Sequence, residues 1–358
     1  MTTDKQNQPV SIAAQGHFWV GVQRHPSDMG TAAYGQMSVH FQVPEQLLSP
    51  WPIVMIHGGG GQGTDFITTP DGRPGWAQYF LKQGFAVYVV DRTGHGRSPY
   101  NGDLLGSAAP AMTYELCRAM FLGDRPDGSV APDSLWPEGP ARERALDQFI
   151  AGQGPFIADL AVTHEHARRC GSELLDRIGP SILLTHSMGA PCGWVIANAR
   201  PEKVRAIIAV EPFGPPFSEP IPGLGTLKWG ITSTPLAFDP PANDASELEN
   251  RARRIPALAG IPVAVVTGEK SFMKEVDPAT VSFLRDAEVA VDHLDLAEHG
   301  IHGNGHLPMC ESNSDEVAAL LLRWIEGALG RKLQTKDGLV YQKVSDLASA
   351  HAIKGFER

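Results

Sequence analysis

The chain has no long apolar run, no basic block and only four cysteines in 358 residues. No stretch approaches the roughly eighteen apolar residues that a membrane-spanning helix requires. The polar residues 1–9 are not followed by the apolar core of a signal peptide. No membrane span is expected, and the expected compartment is the cytoplasm. Lys and Arg number 30 against 40 Asp and Glu, a formal charge of −10, and the basic residues are scattered. A phosphate backbone therefore finds no matching surface, and nucleic acid is not an expected partner. Cys117, Cys170, Cys192 and Cys310 form no Cys-x-x-Cys pair. A zinc ribbon or disulfide scaffold has little support from that spacing, and the four read as free, mostly packing thiols. What is present is ordinary for a soluble enzyme: 42% apolar residues, enough to bury one large core.

Hydrophobic periodicity divides the chain. Residues 16–22 and 35–43 read as short strands; in the second, Met37, Val39, Phe41 and Val43 alternate with Ser38, His40 and Gln42, the pattern of an antiparallel edge. Residues 53–56, 85–90, 204–210 and 261–266 are continuous apolar runs, suited to strands covered on both faces, and residues 289–296 read as the last strand. Helical stretches fall at 76–82, 157–178, 192–199 and 317–329. Strands alternating with helices predict a mostly parallel sheet flanked by helices. The rhythm breaks over residues 100–154, where Pro110, Pro126, Pro132, Pro137 and Pro140 stand among Met112, Met120, Phe121, Trp136 and Phe149, and again over residues 215–255. Both are expected to be cap insertions that wall an apolar pocket. The reading is one domain over residues 1–330 and a C-terminal tail, 331–358. Val344, Leu347 and Ile353 of that tail suit packing on the body or on a second copy in a homodimer.

Chemistry concentrates at strand ends. Residues 181–186 are followed by Ser187, Met188 and Gly189, a strand-to-helix turn that would expose a serine nucleophile. Small residues normally flank such a serine at two positions before and two after. Gly189 satisfies one; Thr185 crowds the other and should hold strand and helix slightly further apart. After residues 53–56 come His57, Gly58, Gly59, Gly60 and Gly61, a loop able to present backbone N–H groups to a ligand. The Gly-His-Gly-Arg-Ser turn at 94–98 reads as a brace, with His95 structural. A serine needs a base, and the base needs an acid to fix its tautomer. His306, on a glycine-rich loop before the final helix, is the first choice of base, then His302, then His299. Spaced glycines argue against those histidines aligning on a helix as a metal site, and the reading needs no cofactor and no metal. For the acid, Glu269 and Asp277 follow one strand and Glu211 another.

Several blocks in one order decide between them: His-Gly-Gly-Gly-Gly, Thr-Thr-Pro-Asp-Gly-Arg-Pro-Gly-Trp at 68–76, Asp91 to Ser98, Thr-His-Ser-Met-Gly, Val-Glu-Pro and His-Gly-Asn-Gly-His. Together they resemble a small bacterial esterase subfamily of the α/β-hydrolase superfamily, over roughly residues 35–329. The resemblance implies the α/β-hydrolase fold, with the acid after the sixth strand, hence Glu211, and the base at the second histidine of His-Gly-Asn-x-His, hence His306. It also implies oxyanion donors at the N–H groups of Gly59 and Met188. Some relatives carry adjacent cysteines where this chain has Gly59 and Gly60. The expected function is a serine hydrolase that cleaves small carboxylic esters with an apolar part through an acyl-enzyme. The alternatives are the same triad acting on an amide, carbamate, lactone or carbon–carbon bond, or as an acyltransferase, and a non-catalytic binding protein on the hydrolase scaffold.

Overall fold

The structure is a computed structural model, and it describes residues 9–123, 134–248 and 253–330. The tail at 331–358 and parts of both expected caps lie outside the described residues. An eight-stranded sheet forms the centre, built from β1 (Ile12–Val20), β4 (Met37–Pro44), β5 (Ile53–Ile56), β6 (Val87–Asp91), β7 (Ser181–His186), β8 (Val204–Val210), β9 (Val263–Thr267) and β10 (Val291–Asp295). Their spatial order is β1-β4-β6-β5-β7-β8-β9-β10. The β1/β4 and β4/β6 pairs are antiparallel, and every pair from β6 to β10 is parallel. Strands β2 (Gln23–Ser27) and β3 (Gly30–Tyr34) make a separate hairpin.

The continuous apolar runs are explained by two cores, one on each face. Alternate residues of β5 divide between them: Val54 and Ile56 face one side, Ile53 and Met55 the other. Among the helices are α1 (Thr64–Ile67), α2 (Trp76–Lys82), α3 (Gly102–Leu105), α4 (Tyr114–Cys117), α5 (Gly139–Ala151), α6 (Leu160–Ile178), α7 (Gly189–Ala199), α8 (Asp277–Asp286) and α9 (Ser314–Ala328). Helices α6, α7 and α8 cover the first face through Cys170, Leu174, Trp194, Ile196 and Leu284. Helices α2 and α9 cover the second through Trp76, Phe80, Val317 and Leu321. Helix α6 starts where the Asp159 carboxylate accepts from the N–H groups of Ala161 and Val162, which have no partner within the helix. Every residue of β5 to β9 except Arg205 is buried. Only their carboxyl ends and the loops beyond can meet a ligand, and the predicted site residues lie there.

In the segment 100–154, α3, α4, a π-helical turn at Arg118–Leu122 and α5 are described. Residues 215–244 carry no named helix or strand. Among the described residues no helix is long and apolar enough to cross a membrane.

Candidate active site

Strand β7 stops at His186, and the next residue, Ser187, has φ +48°. An L-residue in that region costs about 1–2 kcal/mol, so the turn must be held by its surroundings. The Ser187 N–H donates to Val210 O at 3.0 Å, and the Ser187 carbonyl accepts from Ala190 at 2.9 Å and from Phe213 at 3.1 Å. A Cβ on Gly189 would come within 2.5 Å of Ile56 O, so α7 enters this close to β5 only with glycine there. The crowding expected of Thr185 is relieved on the helix: a Cβ on Gly193 would stand 2.8 Å from Thr185 Cγ2.

The register of β7 and β8 pairs His186 with Val210, which puts Glu211 on the next rung beside Ser187. Glu211 also has a positive φ, +52°, and its N–H donates to Val266 O at 2.8 Å. Its fully buried carboxylate accepts from Gly268 N–H and the Ser271 hydroxyl and faces His306 Nδ1 at 3.1 Å. His306 Nε2 lies 3.0 Å from Ser187 Oγ. The rings of Phe272 and Phe121 stack on the imidazole, with centroids at 4.5 and 5.7 Å. Burial pushes the imidazole down to about 3 and the Glu211 carboxyl upward, the latter against the donors Ser271 and Gly268. A neutral imidazole with Nε2 toward the hydroxyl is the state a general base requires.

The loop that carries His306 is fixed from both ends. Glu311 accepts from Asn304 Nδ2 at 2.6 Å and Gly305 N–H at 2.8 Å, while Asn304 and Asn313 exchange amide hydrogen bonds at 2.8 and 2.9 Å. His186 donates from Nε2 to the His306 carbonyl at 2.8 Å. On the other side of Ser187 lies the glycine loop. A Cβ on Gly58 would stand 3.0 Å from Ser187 Cβ, and one on Gly59 would meet Met188 Sδ at 3.7 Å. Among the described residues, the N–H groups of Gly59 and Met188 have no hydrogen-bond partner.

The other candidates stand elsewhere. His302 is an exposed side chain 3.4 Å from Glu269, which also accepts from Gly303 N–H at 2.9 Å. His299 is exposed. Asp277 is buried and accepts from the Thr267 hydroxyl at 2.6 Å. His95 packs under the glycine loop, its Nε2 2.9 Å from Gly59 O, and is pushed down to about 3, first by burial and then by Arg92. Among the described residues, no group of three His, Cys, Asp or Glu side chains could hold a metal ion. Next to His306 opens a cleft of about 400 Å³ whose lining includes Met120, Phe121, Leu122, Leu135, Trp136 and Phe272. Sequence reasoning gave no role to His186, although it stands inside the serine motif, none to Glu311, and none to Ser271 or Arg92, whose contacts join loops distant in the chain.

Three similarities bear on this arrangement. A family model described as the alpha/beta hydrolase fold matches residues 52–242. A fungal protein named a probable secreted lipase is 36% identical over 315 residues, an alignment that spans 79% of this chain and 84% of that one. A solved structure described as a novel bacterial esterase superposes with a TM-score of 0.69 at 25% identity, over 90% of this chain and 98% of that one. With strand order, strand-end serine and sequence similarity in agreement, the chain belongs to the α/β-hydrolase fold family.

Proposed function

We propose that the chain hydrolyses carboxylic esters through an acyl-enzyme, with Ser187 as nucleophile, His306 as general base and acid, and Glu211 as the residue that orients His306. The observation that carries the reading is the continuous contact Glu211–His306–Ser187, at 3.1 and 3.0 Å, beneath a loop with unengaged N–H groups. Ser187 Oγ bonds to the ester carbonyl carbon as His306 Nε2 takes the hydroxyl proton, and the carbonyl electron pair moves onto oxygen. The N–H groups of Gly59 and Met188 receive that oxyanion. Collapse breaks the bond to the alcohol oxygen, which leaves with the proton from Nε2. Water then repeats the sequence on the acyl-enzyme, giving up a proton to His306 and releasing the carboxylic acid and Ser187. Glu211 holds the Nδ1–H tautomer throughout and balances the transient imidazolium.

The names of the two relatives, a lipase and an esterase, support the ester bond as target. The apolar wall of the cleft supports a small ester with an apolar portion. In this reading segments 100–154 and 215–255 act as the cap, and Phe121 of the first already touches the His306 ring. For the compartment we retain the cytoplasm; the fungal relative is named as secreted, and cell fractionation separates the two. The catalytic reading is tested by a fluorophosphonate probe and by Ser187→Ala. The probe should label Ser187 alone, and the variant should lose about a thousandfold to a millionfold in turnover. Undiminished ester hydrolysis by Ser187→Ala would end the proposal.

A further inference from the structure

Directly beneath the glycine loop lies Arg92, a buried arginine that follows β6 and makes no ion pair among the described residues. Isolated charges are rarely buried without a carboxylate, because their hydration is lost with nothing to replace it. Here the loop replaces it in part, through Nη2, while Nε and Nη1 are buried with no hydrogen-bond partner among the described residues. Arg92 Nη2 donates to the carbonyls of Gly58 and Gly59, each at 2.7 Å, and lies 3.2 Å from His95 Nε2. The Arg92 backbone N–H donates to His57 Nε2 at 3.0 Å, so the same residue also fixes the start of the loop. The Cys192 thiol lines the small void against it. Four buried histidines, His57, His95, His164 and His186, lie close enough that its charge adds to burial in keeping each neutral. The guanidinium is thus the fixed positive charge of this pocket.

The carbonyl of Gly58 and the N–H of Gly59 belong to one peptide group. A cation that draws electron density toward the Gly58 oxygen makes the Gly59 N–H a stronger donor on the opposite side, since hydrogen bonds in a chain polarise one another. We propose that Arg92 is a positioning residue for oxyanion stabilisation: from below it clamps the Gly58 and Gly59 carbonyls and polarises the peptide whose N–H faces the developing charge. The inference rests on the reading of Ser187 as nucleophile and Gly59 N–H as oxyanion donor. Arg92 itself touches no substrate.

The test compares wild type with Arg92→Met, Arg92→Gln and Arg92→Lys on a p-nitrophenyl ester, with inhibition by a trifluoromethyl ketone measured in parallel. The ketone forms a charged hemiketal at a serine nucleophile and reports on the oxyanion, whereas KM for the neutral ester does not. Folded Arg92→Met, or Arg92→Gln if the methionine variant does not fold, should lose at least tenfold in kcat and a similar factor in ketone affinity. KM should stay within about threefold, and Arg92→Lys should recover part of both losses. A folded neutral variant with kcat and ketone affinity within threefold of wild type overturns the proposal, as does a loss carried by KM alone. Ser187→Ala is run alongside: if it keeps full activity, or the ketone fails to inhibit wild type, the underlying reading of the site has failed instead.

Discussion

The Thr185 methyl occupies the space that a side chain at Gly193 would need: a Cβ built on Gly193 comes 2.8 Å from Thr185 Cγ2. Bulk absent from one element is present on the other, so β7 tolerates a branched residue two before the serine because α7 carries glycine one turn in. Gly193→Ala should destabilise the protein by about 1–3 kcal/mol through overpacking, despite the better helix propensity of alanine. In a Thr185→Ser background the penalty should shrink markedly. A double-mutant cycle by urea unfolding measures it, and additivity within about 0.5 kcal/mol would show that the two sites do not share this space.

Glu211 and Glu269 are the two acids that the sequence left in competition. Glu211 is fully buried against His306, while Glu269 pairs with the exposed His302. Glu211→Gln should lower kcat by up to about ten-thousandfold, since an amide favours the wrong imidazole tautomer. Glu269→Gln should remain within a few fold of wild type. The reverse ranking in steady-state kinetics would move the acid to Glu269.

The pH dependence of kcat/KM follows from burial of His306. Its imidazole is pushed down from 6.5 to about 3, so the neutral base persists in acid where an exposed histidine would already be charged. The acid limb of the profile should lie well below pH 6.5, with activity nearly level from pH 7.5 down to about 5.5. An acid limb centred at 6.5 or above would show that the Glu211 charge outweighs desolvation.

Stability should depend on pH with the opposite trend. Burial raises Asp65 and Glu311 to about 7, so near neutrality the folded chain holds protons that the unfolded chain has released. For a raised carboxyl the unfolded state binds fewer protons, and stability falls as pH rises through the folded value. The buried histidines oppose this only below about pH 6.5, where the unfolded chain takes up protons. The melting temperature should therefore decline from pH 6.5 to 8.5, and Glu311→Gln should reduce the slope. A melting temperature that rises over this range would contradict the direction of these shifts.

What could be read from the chain alone depended on how local the signal was. Residues 53–56, 76–82 and 204–210 coincide with β5, α2 and β8, because an apolar run or a helical face is written in consecutive residues. The hairpin of β2 and β3 gave no such signal: Gln-Arg-His-Pro-Ser and Gly-Thr-Ala-Ala-Tyr are mostly exposed and lack alternation. At the site, the serine and the glutamate each end an apolar run and the histidine stands on a glycine-rich loop before the last helix, so their candidates were visible. Their supports were not. Ser271 reaches Glu211 across 60 positions, and Arg92 reaches the glycine loop across 33 and 34. A hydroxyl or a guanidinium in a polar loop has no linear mark that distinguishes such a task from solvation.

Ser187 and Glu211 lie side by side, each one residue past the end of neighbouring strands, and the loop after β9 donates hydrogen bonds to the carboxylate from Gly268 and Ser271 and lays Phe272 on the His306 ring. In the proposed mechanism that loop therefore carries no reacting group. Phe272, the residue after Ser271, faces the cleft and is 46% exposed. For protein engineering, this makes the loop a replaceable rim: its outward side chains other than Phe272 can be exchanged to suit another substrate while the two backbone-strained residues that anchor the chemistry stay in place at the ends of β7 and β8.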